Sequence, residues 1–174
     1  MHTQDALDLA DHPVHFDARR WFEQGLRFES QDMAAAETAF REAIATDPTF
    51  DQAYMHLGAL LSAHKRCDDA LTVYDMALLQ GRDTPNVHCG RGRVLEDLGR
   101  PMLAIPAYQR ALDLDPELVM AHYRLGVLGD RLGDSISARI HFAECRRLEG
   151  GNRPAPRQLT LPHGQQQAQH EAFV

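Results

Sequence analysis

The chain is short of several things at once. It has one lysine, Lys65, one tryptophan, Trp21, and three cysteines, Cys67, Cys89 and Cys145. An odd cysteine count without short spacings gives neither a disulfide framework nor a zinc knuckle. No apolar run approaches the roughly 20 residues that span a bilayer. The opening MHTQDALDLADHPVHF has no basic region and no apolar stretch, so it does not read as a secretory signal. These absences predict a cytoplasmic protein with reduced thiols and no membrane partner. The net charge of −7 repels a phosphate backbone on average, and no Lys/Arg run offsets it, so no nucleic-acid partner is expected. There is no Gly-x-Ser-x-Gly, no glycine-rich phosphate loop and no His-Glu-x-x-His. The expectation is therefore a non-enzyme with no cofactor and no metal.

What is present is a repeat. Gly58, Gly92 and Gly126 stand 34 residues apart, and so do Ala36, Ala70, Ala104 and Ala138. An aromatic follows each alanine by four: Phe40, Tyr74, Tyr108 and Phe142. A small residue follows three later: Ala43, Ala77, Ala111 and Cys145. Asp47-Pro48 and Asp115-Pro116 close two of the units, because the residue before proline is pushed out of the α region. Tyr54, Leu57 and Leu61 fall on one face of a first helix, and Ala70, Tyr74 and Ala77 on one face of a second. Each such hairpin leaves apolar surface that only a neighbouring hairpin covers, so the units must stack.

These residues, with the stretch LEDLGRPMLAIPAYQRALDLDPELVMAHYRLGVLGDRLGD, resemble tetratricopeptide repeats, in particular those of small bacterial proteins. The resemblance implies an all-α, right-handed solenoid of about four helix–turn–helix repeats. The expected organisation is an N-terminal extension at 1–16 and a solenoid at 17–150, followed by a flexible Pro/Gln-rich tail at 151–174. Repeats fall at about 17–50, 51–84, 85–118 and 119–150, with helices at 18–29, 32–46, 51–64, 67–80, 85–98, 101–114, 119–132 and 135–148.

Departures from the pattern carry their own expectations. Gly25 to Gly58 is 33 residues, so an extra residue belongs in the turn near Ser30. Repeat 2 ends in Gly81-Arg82 instead of Asp-Pro, which predicts a looser exit. Pro106 lies inside a second helix and predicts a kink. His88 and His122 occupy the packing position held by Trp21 and Tyr54, so they read as structural. His56 and Cys89 fall near each other on adjacent first helices, but two ligands do not close a metal site.

The resemblance implies a non-catalytic protein–protein interaction module: a scaffold, adaptor or assembly factor. The alternative is a regulatory subunit of an enzyme or transcription regulator whose activity lies on another chain. It also implies that the first helices line a concave groove for a partner segment. The residues placed there are Phe22, Leu26, Met55, His56, Ala59, Cys89, Arg93, Tyr123, Arg124, Val127 and Arg131. Ala59, Cys89 and Gly90 leave space at the middle, and Arg93 with Arg124 suit an acidic group on the partner. A rival expectation has Glu96, Asp97 or Asp130 neutralising those arginines. The Lys/Asn clamp of chaperone-tail binders does not assemble at the matching positions, which include Asn86, Gly90 and Met120. Ile136 and Ile140, an apolar pair on the last helix, suggest self-association through the C-terminal repeat.

Overall fold

The computed structural model describes residues 13–150, with side chains from Asp17 onward. Eight helices follow one another: α1 (Pro13–Phe28), α2 (Met33–Thr46), α3 (Asp51–Ala63), α4 (Cys67–Leu79), α5 (Pro85–Asp97), α6 (Pro101–Leu114), α7 (Val119–Leu132) and α8 (Ser135–Leu148). Among the described residues there is no strand, and no helix is long and apolar enough to cross a membrane. The helices pair as four hairpins, α1/α2 to α7/α8, and each hairpin packs on the next through α2/α3, α4/α5 and α6/α7. The fold is an α-solenoid. The segments 1–12 and 151–174 lie outside the described residues, and with them the expected tail and most of the extension.

The repeat glycines explain how closely the helices approach. A Cβ on Gly25 would stand 2.5 Å from the ring of Phe40, and one on Gly58 2.5 Å from Tyr74. Gly92 meets Tyr108 and Gly126 meets Phe142 in the same way, at 2.8 Å. Each second-helix aromatic therefore lies on the bare backbone of its first helix. Phe40, Tyr54, Tyr74 and Tyr108 are fully buried and form the spine of the core. The packing position shared by Trp21, Tyr54, His88 and His122 also repeats a bond in two of the hairpins. The Tyr54 hydroxyl donates to the Pro48 carbonyl at 3.2 Å, and His122 Nε2 donates to the Pro116 carbonyl at 3.0 Å. His88 instead bonds Asp83 through Nε2 at 2.6 Å.

Helix ends follow from local chemistry. Asp32, Thr84 and Asp134 cap α2, α5 and α8 by accepting from Ala35, Val87 and Ser137 backbone N–H groups. The first turn has four residues, 29–32, against three at 64–66 and 98–100, which accommodates the extra residue. Lys65 takes φ 64° where the next two repeats have Gly99 and Gly133 at 69° and 82°.

Two expectations need correction. Helix α1 begins at Pro13 rather than 18, since proline is at home in a first turn and its fixed φ starts the helix early. The exit of repeat 2 is closed, not loose. Gly81 adopts φ 75°, and the Arg82 N–H reaches back to the Ala77 carbonyl at 2.9 Å. That is a Schellman closure, and Arg82 adds a two-pronged pair to Asp51. Helix α6 continues through Pro106, whose ring is exposed.

Candidate functional site

The first helices α3, α5 and α7 share the inner face of the stack. Between them lies a recess of about 380 Å³. Met55, His56 and Ala59 come from α3, Asn86, Cys89, Gly90 and Arg93 from α5, and Met120 and Arg124 from α7. Leu118 closes one side, and the rings of Tyr74 and Tyr108 reach through from α4 and α6.

Six of the residues placed in the groove from sequence meet here: Met55, His56, Ala59, Cys89, Arg93 and Arg124. Five do not line it. Phe22, expected as an outward apolar anchor, is 7% exposed. Its ring packs edge-on against Phe50 and His56, both at 5.1 Å, and against Phe40 at 5.7 Å. It belongs to the core because three rings from two repeats converge on it. Leu26 is 39% exposed on α1, away from the recess. Tyr123 is 40% exposed and leans on Phe142 of its own hairpin at 6.2 Å. Val127 is half-buried on α7, and Arg131 is exposed.

The sequence reading missed Tyr74 and Tyr108 as wall residues, along with Leu118, Asn86 and Met120. A signal for the tyrosines exists. The aromatic position is Phe in repeats 1 and 4 but Tyr in repeats 2 and 3, and a buried hydroxyl needs a partner. Tyr74 lies between two glycines, since a Cβ on Gly90 would also meet it at 2.5 Å. Its hydroxyl donates weakly to the Met55 carbonyl at 3.4 Å, while that of Tyr108 donates to Glu96 Oε1 at 2.6 Å.

The recess is positively biased although the chain is acidic. Arg93 makes no hydrogen bond and no ion pair among the described residues. Glu96, 7% exposed at its side chain, stands 3.9 Å from Arg124 and 3.7 Å from Arg131. The Nε of Arg124 is buried without a hydrogen-bond partner. Asp97 accepts from Ser62 at 2.8 Å and so links α5 to α3. Neutralisation is thus partial: one carboxylate faces two of three guanidiniums.

Burial pushes the Tyr74 phenol up to about 12, against the opposing pull of Arg93. Burial also raises the Tyr108 phenol, reinforced by its bond to Glu96, and raises the Cys89 thiol. All three groups stay protonated near neutral pH, so they act as neutral surface and hydrogen-bonding groups. His56 lies 3.7 Å from Glu29 through Nδ1. What the recess offers is an apolar wall, two protonated phenols and an open guanidinium.

Stacked hairpins with a lined inner face define a helical-repeat solenoid, a class built to present an extended surface. Two tetratricopeptide repeat family models match the chain, one over residues 27–91 and the other over 89–149. The chain belongs to the tetratricopeptide repeat family. Among solved structures it is similar to MamA residues 41 to end from Desulfovibrio magneticus RS-1, at 25% identity and TM-score 0.66, over 79% of this chain and 78% of that one. YrrB, described as a TPR protein with an unusual peptide-binding site, matches at 22% identity and TM-score 0.62, over 85% and 75%. The first TPR of Spaghetti (RPAP3), bound to the HSP90 peptide SRMEEVD, matches at 19% identity and TM-score 0.62, over 71% and 99%. The last two likenesses speak for the fold alone. No curated protein sequence matches the chain.

Proposed function

We propose that this chain is a non-catalytic adaptor or scaffold that holds a segment of another protein on its inner face. The observation that carries the reading is the recess between α3, α5 and α7, where Met55, Leu118 and Met120 line the same space as Arg93, which has no partner among the described residues. Interfaces draw their energy from a few apolar and arginine anchors in such settings. Two proteins of the same fold are described with peptides or a peptide-binding site, which supports the reading by analogy.

The test is selection of decapeptides from a display library on the purified chain. Selected peptides should bind the chain and its outer-face variant Leu103→Arg equally. They should lose at least tenfold in affinity on Ala59→Trp, which fills the recess. Equal binding to both variants, or no selected peptide at all, contradicts the proposal. Circular dichroism confirms that each variant is folded.

A further inference from the structure

We infer that the recess is a seat for one acidic side chain, Asp or Glu, carried on an extended segment with an aliphatic neighbour beside it. This rests on the inner face being the partner surface, and adds what the partner must carry. Two observations point to an anion. Arg93 has no acceptor among the described residues, and the Nε of Arg124 is buried without one. Both line the same recess. The nearby carboxylate cannot serve both. Glu96 is engaged by the Tyr108 hydroxyl at 2.6 Å, and Arg124 and Arg131 stand beyond hydrogen-bonding distance from it.

A guanidinium with open donors, as at Arg93, favours a carboxylate, whose two oxygens can accept from its N–H groups in a two-pronged way. The chain as a whole, at net charge −7, repels an acidic partner on average, and the recess arginines offset that locally. That contrast makes the seat selective in position. Size adds a constraint. About 380 Å³ takes side chains and not the body of a helix about 10–12 Å across, which suits an extended segment laying its side chains in the recess. Met55, Leu118 and Met120 then cover the aliphatic neighbour. Glu96, which does not line the recess, accepts from the Tyr108 hydroxyl and stands 3.9 Å from Arg124, so it acts as a positioning residue.

The experiment uses peptides selected from the decapeptide library on the full chain, resynthesised with blocked termini. The expected winners carry Asp or Glu next to an aliphatic residue. Changing that acid to Asn or Gln, or Arg93→Ala in the protein, should each weaken binding about tenfold. Combining the two changes should cost little more than either alone. Arg131→Ala, outside the recess, should leave affinity within about twofold. Winners without acidic enrichment, or unaltered binding to Arg93→Ala, overturn the seat while leaving the groove reading intact. Binding only by peptides with a free terminal carboxylate also overturns it. Failure to select any peptide removes both.

Discussion

The two ends of the solenoid and its internal interfaces use the same helical positions for opposite chemistry. On the first helices, one position reads Arg20, Ala53, Val87, Ala121, and another reads Arg27, Leu60, Val94, Leu128. The three internal residues of each set are buried, and the two arginines of α1 are exposed. On the second helices, one position reads Glu37, Leu71, Ile105, Arg139, and another Ile44, Leu78, Leu112, Arg146; Glu37 is the charged exception at an internal position and pairs with Arg66 of the next hairpin. The apolar members pack into the core, while Arg139 and Arg146 are exposed. Glu37 apart, these positions are apolar where another described hairpin covers them and basic where none of the described hairpins does. An arginine stem still covers apolar surface while its head stays in water. The comparison bears on self-association. Ile136 and Ile140, at 75% and 58% exposure, occupy the positions of Met102 and Pro106. They lie along the outer side, whereas the positions that stack on a following hairpin carry arginine. End-to-end stacking of copies would bring Arg139 and Arg146 against Arg20 and Arg27, like charge against like.

Exchanging the two chemistries breaks the comparison most strongly. Val94→Arg puts an unpaired guanidinium at a fully buried site and should cost about 4 kcal/mol or more, enough to melt the stack in urea titration. Arg27→Val at the matching end position should change stability by no more than about 0.5 kcal/mol. Similar losses in both would mean that the ends are not ends in the sense argued.

Gly58→Ala comes next. Its methyl meets the Tyr74 ring, which Gly90 blocks on the other side, so the ring cannot yield. A loss of about 2 kcal/mol is expected. A neutral result would show that the second helix moves away freely.

Repeat 4 also differs from the others in its response to acid. His122 Nδ1 lies 3.0 Å from His141 Nδ1. His122 donates through Nε2 to Pro116, so its Nδ1 accepts and His141 donates. Burial, and then the neighbouring His122, lower His141 below its usual 6.5, with Glu144 opposing. The unfolded chain therefore binds the proton first on acidification. Stability from this contact is complete above about pH 6.5 and falls as the pH drops below it. Thermal melts between about pH 7.5 and pH 5.5 should show the loss, and His141→Gln should remove most of it. An unchanged pH profile in that variant would assign the loss elsewhere.

The smallest effect concerns the turns. Lys65 holds the left-handed conformation that Gly99 and Gly133 hold without strain. Lys65→Gly should be neutral to stabilising, by at most about 1 kcal/mol in urea titration. A clear loss would mean that the lysine side chain contributes something beyond its backbone.

The repeat was readable because a 34-residue period places glycine opposite an aromatic in every hairpin, and that contact is local. The turns of repeats 1 and 2 were harder. Gly81 closes repeat 2 by backbone conformation, which a rule based on Asp-Pro does not contain. The site was readable where one helix face decides exposure, as at Met55, Ala59, Arg93 and Arg124. It was not readable where residues from other helices intervene. Phe22 sits at an inward-facing position of α1, yet Phe40, Phe50 and His56 cover it. Tyr74 and Tyr108 belong to second helices, and reach the inner face only because Gly58 and Gly92 let their rings pass.

Backbone hydrogen exchange of the full chain, with and without a saturating selected peptide, tests the central claim most directly. The account predicts slowed exchange in α3, α5 and α7, centred on residues 55–59, 89–93 and 120–124, with α4, α6 and α8 changed less. Protection confined to α4, α6 and α8, or to α1 alone, would place the partner surface elsewhere and contradict it.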